Sequence, residues 1–179
     1  AAAGKSTVGE LVAQRLNAVY FDSGILYRAL TLAALGRGIE PDDERELAEL
    51  ATHLDVQIRR PSMDDGRQSD VILDGKDVTW DLRSAAVDRL VSTVSALPAV
   101  RKALLEPQRR IGRTGAVVMV GRDIGTVVLP EADLKIFMVA SVGERARRRY
   151  EQLRGTAKEQ DLDAIRDDLR RRDEIDSTR

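Results

Sequence analysis

Cysteine is absent from the 179 residues, which excludes disulfides, thiolate catalysis and zinc-finger sites together. The single histidine, His53, has no second imidazole with which to share an ion, so a His-rich metal site is excluded and a structural role is expected for it. Aromatic side chains are scarce, with three Tyr, two Phe and one Trp, and 29 basic against 30 acidic residues leave a formal charge of −1. A nucleic-acid platform needs stacking rings and a basic face, and neither is present. No segment approaches the roughly 18 consecutive apolar residues of a membrane-spanning helix. The opening Ala1-Ala2-Ala3-Gly4-Lys5 carries no secretory apolar core. The expectation is a cytoplasmic protein with neither membrane nor nucleic acid as partner.

What is present supports a globular domain with room for a small insert: 42% of residues are hydrophobic and 33% charged, enough for a core and a well-solvated surface. Val8, Leu11, Val12 and Leu16 recur at helical spacing over 5–16, and 18–21 then reads as a short buried strand. Helices are predicted over 25–35, ending at Gly36 and Gly38, and from Pro41-Asp42-Asp43 to Leu54. The period then changes, with Val56, Ile58, Val71 and Leu73 alternating about a polar stretch containing Asp65-Gly66, which predicts an inserted antiparallel hairpin. Further helices are predicted over 81–96, 98–111, 142–154 and 162–173, with Pro98 at a first turn and Ser141 as a cap. The apolar runs 116–120 and 134–140 read as strands buried on both faces. Buried strands alternating with helices imply an α/β protein with a parallel sheet flanked by helices, the hairpin region being an insert. Trp80 and Met63 are expected to pack, and Asp64-Asp65 supplies too few oxygens for a hard-cation cage.

The strongest local chemical signal is Ala1-Ala2-Ala3-Gly4-Lys5-Ser6-Thr7, the second half of the phosphate-loop pattern G-x-x-x-x-G-K-[ST]. Small residues let backbone N–H groups close around phosphate oxygens, and the following helix start adds partial positive charge. Lys5 is placed to reach the terminal phosphates and Ser6 to offer an oxygen to Mg²⁺. Read alone, the same residues also suit an Ala-rich helix start.

Three further segments join it: Phe21-Asp22-Ser23-Gly24-Ile25-Leu26-Tyr27-Arg28, Gly121-Arg122-Asp123-Ile124-Gly125-Thr126-Val127-Val128, and Arg172-Asp173-Glu174-Ile175-Asp176-Ser177-Thr178-Arg179. Together with the stretch from Ser92 to Arg101, these resemble the bacterial cytidylate kinases among the P-loop nucleoside monophosphate kinases, and the resemblance runs over nearly the whole chain. It implies a P-loop NTPase-type sheet and a single kinase domain over 1–179. The core would comprise about 1–54 and 81–179, a nucleotide-binding insert about 55–80, and a lid region about 147–170. The implied reaction is transfer of a phosphoryl group from ATP to CMP or dCMP with Mg²⁺, by a monomer in the cytoplasm.

The resemblance also distributes roles. Ser92, Arg101 and Asp123 would hold the cytosine base, and Arg28, Arg122 and Arg179 the acceptor phosphate. Arg172 and Asp176 would hold the ribose, with Ser23 and Tyr27 lining the same pocket. Lys5, Arg122 and Arg179 would be catalytic. Ala1, Ala2, Ala3, Gly4, Lys5, Ser6, Thr7 and Arg147 would meet ATP, with Ser6 also at the metal. The chemistry agrees with the base assignment, because the exocyclic amine of cytosine needs an acceptor such as a carboxylate, while its O2 and N3 suit Arg and Ser donors. Taken singly, Arg122-Asp123 also reads as a surface loop pair, and Arg172, Asp176, Arg179 and the basic run about Arg147 as solvated helix faces. The family pattern has a strand before Ala1 and a strand and helix after Arg179, so the chain is expected to be a trimmed part of a longer protein. Other readings are a P-loop kinase acting on UMP, AMP or shikimate, and a nucleotide-binding module inactive in this trimmed form.

Overall fold

A computed structural model describes residues 3–155 and 160–177, and for 172 and 175–177 the backbone only. These residues fall into two compact units, one of Ser6–Leu134 and one formed by the described residues of Ala1–Lys5 and Lys135–Arg179.

The helix predicted at the start is found as α1, Lys5–Leu16, and the chain turns at Asn17, which takes a positive φ of 53°. Ala13, Ala18, Tyr20 and Val120 form the small core between α1 and the sheet. Strand β1, Val19–Asp22, pairs in parallel with β5, Val117–Val120, in a register that sets Asp22 beside Val120. Helix α2, Gly24–Arg37, runs through Gly36 and stops at Gly38, whose φ of 69° lets its N–H reach the carbonyls of Ala34 and Leu35. Helix α3, Glu44–His53, is capped by Asp43, whose carboxylate accepts from the Glu46 N–H. Phe21, Leu26, Leu30, Leu47, Val94, Val100 and Leu104 are buried in the main core, which joins these helices to the insert.

The insert is an antiparallel sheet of β2, Val56–Arg59, β3, Asp70–Leu73, and β4, Lys76–Asp77. Its first two strands were predicted; β4 was not, although Asp74-Gly75 carries the signal. Both residues have positive φ, 49° and 81°, the conformation of a tight two-residue hairpin.

Two predicted helices are interrupted. Over 81–96 a 3₁₀ turn, Asp81–Arg83, precedes α4, Ala85–Ala96, because Ser84 is extended and turns its hydroxyl to the Val87 N–H as a cap. Over 98–111 the chain divides at Leu104 into α5, Pro98–Ala103, and α6, Leu105–Gly112. Pro107 has no N–H to donate to Ala103, and its ring crowds that carbonyl, which interrupts the helical hydrogen-bond ladder there.

The α/β class with a parallel sheet and an antiparallel insert is borne out, but the expectation of strands buried on both faces is corrected. Three of the four β5 residues are only half-buried. The run 134–140 forms no regular element and belongs to no sheet among the described residues, with Leu134 75% and Phe137 87% exposed. Apolar composition does not make a strand by itself; a neighbouring chain must take the N–H and C=O groups, and β1 and β5 take each other's.

In the other unit, α7, Val142–Leu153, begins at Ser141, whose hydroxyl accepts from the Glu144 N–H. It packs on α8, Leu162–Ser177, through Ala146, Leu153, Ile165 and Leu169. The Arg145 guanidinium, one-tenth exposed, grips both carboxylate oxygens of Asp173, so this member of the basic run joins two helices instead of facing water.

Candidate active site

The phosphate-loop half-motif meets the start of α1 as predicted. Gly4 has a φ of 89°, which a side chain would strain, and Lys5 is the first helical residue. Lys5 is half-buried, while Ser6 and Thr7 are exposed on the first turn, where backbone N–H groups have no intrahelical partners. A Cβ built on Gly4 would lie 3.6 Å from Nη1 of Arg148, which brings that guanidinium beside the loop. Arg147, the expected ATP ligand, is instead engaged along its own helix by Glu144 and by Glu151, the latter at 2.6 Å. Both carboxylates are exposed enough to release it. Ala1, Ala2 and Arg179 lie outside the described residues. Arg172 and Asp176 lie on α8, described there by backbone alone.

Several residues expected on the acceptor side follow the ends of the two parallel strands, which is where α/β sheets bind their ligands. The Ser23 N–H donates to the Val120 carbonyl at 2.9 Å, so the segments leaving β1 and β5 run side by side. Gly121 makes this possible, because a Cβ there would come within 2.5 Å of Ser23 Oγ. Ser23 is buried and starts α2, which carries Tyr27 and Arg28 on its first turns. After β5, Arg122 and Asp123 sit on bends that lead into a short π-helical turn, Ile124–Val128. Asp123 accepts from Nη2 of Arg101, on α5, at 2.9 Å, and both side chains are about a third exposed. Residues 22 apart in sequence, expected to read one base, thus meet in space. Ser92 lies exposed on α4.

Arg28 is held from a direction the sequence did not suggest. Its Nη1 donates to the Leu82 carbonyl at 2.9 Å and to Asp88 Oδ1 at 2.8 Å, so α2 is tied to the 3₁₀ turn and to α4. Asp88 is four residues before Ser92, a spacing that puts both on one face of α4. That spacing was visible in the sequence, but its bearing on Arg28 required the fold.

The whole chain, residues 1–179, matches the family model described as cytidylate kinase. The chain belongs to the cytidylate kinase family. A protein of Chloroflexus aggregans named cytidylate kinase is 52% identical over 176 residues, covering 98% of this chain and 76% of the relative. One from Symbiobacterium thermophilum, of the same name, is 51% identical over 176 residues with the same two shares. Another from Roseiflexus castenholzii, also so named, is 49% identical over 177 residues, covering 98% of this chain and 76% of the relative.

The insert carries a charged cluster of its own. Arg67 is one-twentieth exposed and donates to Asp65, Asp70 and Asp77 at 2.8 Å each. Trp80 is not simply packed: it is 43% exposed, its indole N–H donates to Asp65 at 2.9 Å, and Arg83 lies over its ring. Asp65, expected to be a loop residue and no metal ligand, is thus the carboxylate that joins Arg67 to Trp80. His53 is exposed, with Nδ1 near Thr52 Oγ1 and the Glu49 carbonyl.

Proposed function

We propose that this member of the cytidylate kinase family transfers the terminal phosphoryl group of ATP to CMP or dCMP, giving ADP and CDP or dCDP. The observation that carries the substrate reading is the Arg101–Asp123 pair at the carboxyl end of β5: one strong donor and one carboxylate acceptor, both accessible. A cytosine edge, which presents an amine donor beside two acceptors, is complementary to that pair, whereas uracil turns a carbonyl toward the carboxylate.

Phosphoryl transfer passes through a loose transition state and asks for in-line placement and charge neutralisation more than for a nucleophile. Gly4 and the first turn of α1 supply the phosphate cradle, and Lys5 neutralises the transferring group. Arg28 and Arg122 hold the acceptor phosphate, with Arg179, Arg172 and Asp176 assigned to phosphate and ribose by family pattern. Arg147 and neighbouring Arg148 belong to the region about 147–170 that closes over ATP and excludes water, and the insert about 55–80 borders the acceptor.

Magnesium enters as part of the ATP substrate. Among the described residues no group of three or more His, Cys, Asp or Glu side chains forms a cage. The exposed hydroxyl of Ser6 suits a small ion that keeps its waters and takes phosphate oxygens. The ion would offset phosphate charge there.

We further assign the protein to the cytoplasm, as a monomer. Among the described residues, no helix is long and apolar enough to cross a membrane. The test is Mg²⁺-dependent ADP formation with CMP, dCMP, UMP and AMP supplied separately. Stimulation by CMP and dCMP alone is the expected result, and stimulation by UMP or AMP to the same extent would overturn the base assignment.

A further inference from the structure

Arg28 Nη1 carries two hydrogens, and both are committed: one to the Leu82 carbonyl and one to Asp88 Oδ1. A guanidinium held by one terminal nitrogen still has its Nε–Nη2 edge, two parallel N–H groups that match two oxygens of a phosphate. Among the described residues, Arg28 makes its hydrogen bonds through Nη1 and none through that edge. Without such anchoring, an arginine side chain one-third exposed samples many rotamers, and ordering it falls on the ligand's binding energy.

We propose that Asp88 is a positioning residue for the acceptor phosphate: with the Leu82 carbonyl it clamps Arg28 Nη1 so that the Nε–Nη2 edge is presented ready-made to the incoming nucleotide. This rests on the reading of Arg28 as an acceptor-phosphate ligand. The placement of Asp88 adds a second consequence. One turn further along the same face of α4 is Ser92, assigned to the base, so a single helix sets the phosphate-binding and base-reading groups at a fixed separation. The acceptor class that fits is a nucleoside monophosphate with its base and phosphate held at once. The Arg28–Asp88 pair contributes little to folding, because both side chains are a third exposed and such pairs are worth about 0–1 kcal/mol. Its value lies in pre-organisation.

The experiment compares Asp88→Ala, Asp88→Asn, Arg28→Ala and the Asp88→Ala/Arg28→Ala double variant in KM for CMP, and in calorimetric binding of CMP and of cytidine, which lacks the phosphate. Asp88→Ala is expected to raise KM for CMP by up to about tenfold, the cost of ordering one long side chain on binding, and to leave cytidine binding unchanged. Asp88→Asn, which keeps an acceptor oxygen, should recover most of that loss. In the Arg28→Ala background, removing Asp88 should add nothing. If Asp88→Ala leaves KM unchanged or lowers it while Arg28→Ala raises it, the positioning role is overturned and the phosphate reading of Arg28 stands. If Arg28→Ala itself leaves KM unchanged, the underlying reading fails. Equal weakening of CMP and cytidine would mean that Asp88 only supports the fold, and would also overturn the proposal.

Discussion

Replacing Asp123 by Asn tests the base-reading assignment with almost no change in shape. The carboxylate accepts a hydrogen bond from Arg101 at 2.9 Å, and both groups are about a third exposed. The ion pair therefore adds at most about 1 kcal/mol to folding, and the melting temperature should move by no more than a few degrees. Its effect on substrate choice is larger. A carboxylate can only accept at neutral pH, so it pairs with the cytosine amine and opposes the uracil carbonyl; an amide both accepts and donates, so it turns to suit either. Losing one discriminating contact of this kind costs about 1–3 kcal/mol, or roughly 5- to 150-fold in the ratio of kcat/KM for CMP over UMP. Steady-state ADP formation with each acceptor at saturating ATP measures this ratio. The expected change is a fall in CMP efficiency with a rise in UMP efficiency. An unchanged ratio in a variant that melts normally would refute the reasoning, because Asp123 would then not face the base.

Other perturbations separate catalysis from architecture. Lys5→Met should cut ADP formation by about 10²-fold or more, as removal of one transition-state charge contact commonly does, and a variant of near-normal rate would remove Lys5 from the chemistry. Gly9 is buried on α1, and a Cβ there would come within 2.6 Å of Val120 Cγ2 and 3.3 Å of Tyr20 Cε2. Gly9→Ala should therefore destabilise the protein by about 1–3 kcal/mol, read as a lowered melting temperature; an unchanged one would show that this packing yields freely. The insert should be sensitive to acid. Hydrogen bonds from Arg67 and then Trp80 hold Asp65 well below the usual carboxylate range, and Thr79 followed by Arg67 brings Asp77 down to about 2. Burial alone would raise Asp70, but Ser62 and Arg67 carry it below its ordinary value. Folded values lie below the unfolded ones near 4, so this stabilisation is complete above that pH and is lost as the pH falls through the folded values. Melting temperature should hold between about pH 7 and 5 and decline from about pH 4 toward 2. Arg67→Met should flatten that decline, and an identical slope in the variant would refute the role of the cluster.

Local signals were sufficient wherever a segment's structure depends on its own residues. The period of Val8, Leu11, Val12 and Leu16 predicted α1 to the residue, Ser141 capped α7, and the alternation about Val56 and Val71 predicted the hairpin, because periodicity, capping and turn chemistry act over a few positions. The half-motif Gly4-Lys5-Ser6 and the segment Gly121-Arg122-Asp123 are local signals of the same kind, and the first stands at the start of α1 and the second directly after β5. The sequence by itself thus determined the α/β class and the family resemblance. Tertiary structure alone decided the rest. The run 134–140 has strand composition but no strand, since a strand is a relation between two chains and composition describes only one. Arg101 meets Asp123 across 22 residues, and Arg28 meets Asp88 across 60. No local period encodes such encounters; they arise when β1 and the helices that bury Phe21, Leu30, Val94 and Val100 in one core bring distant polar side chains together.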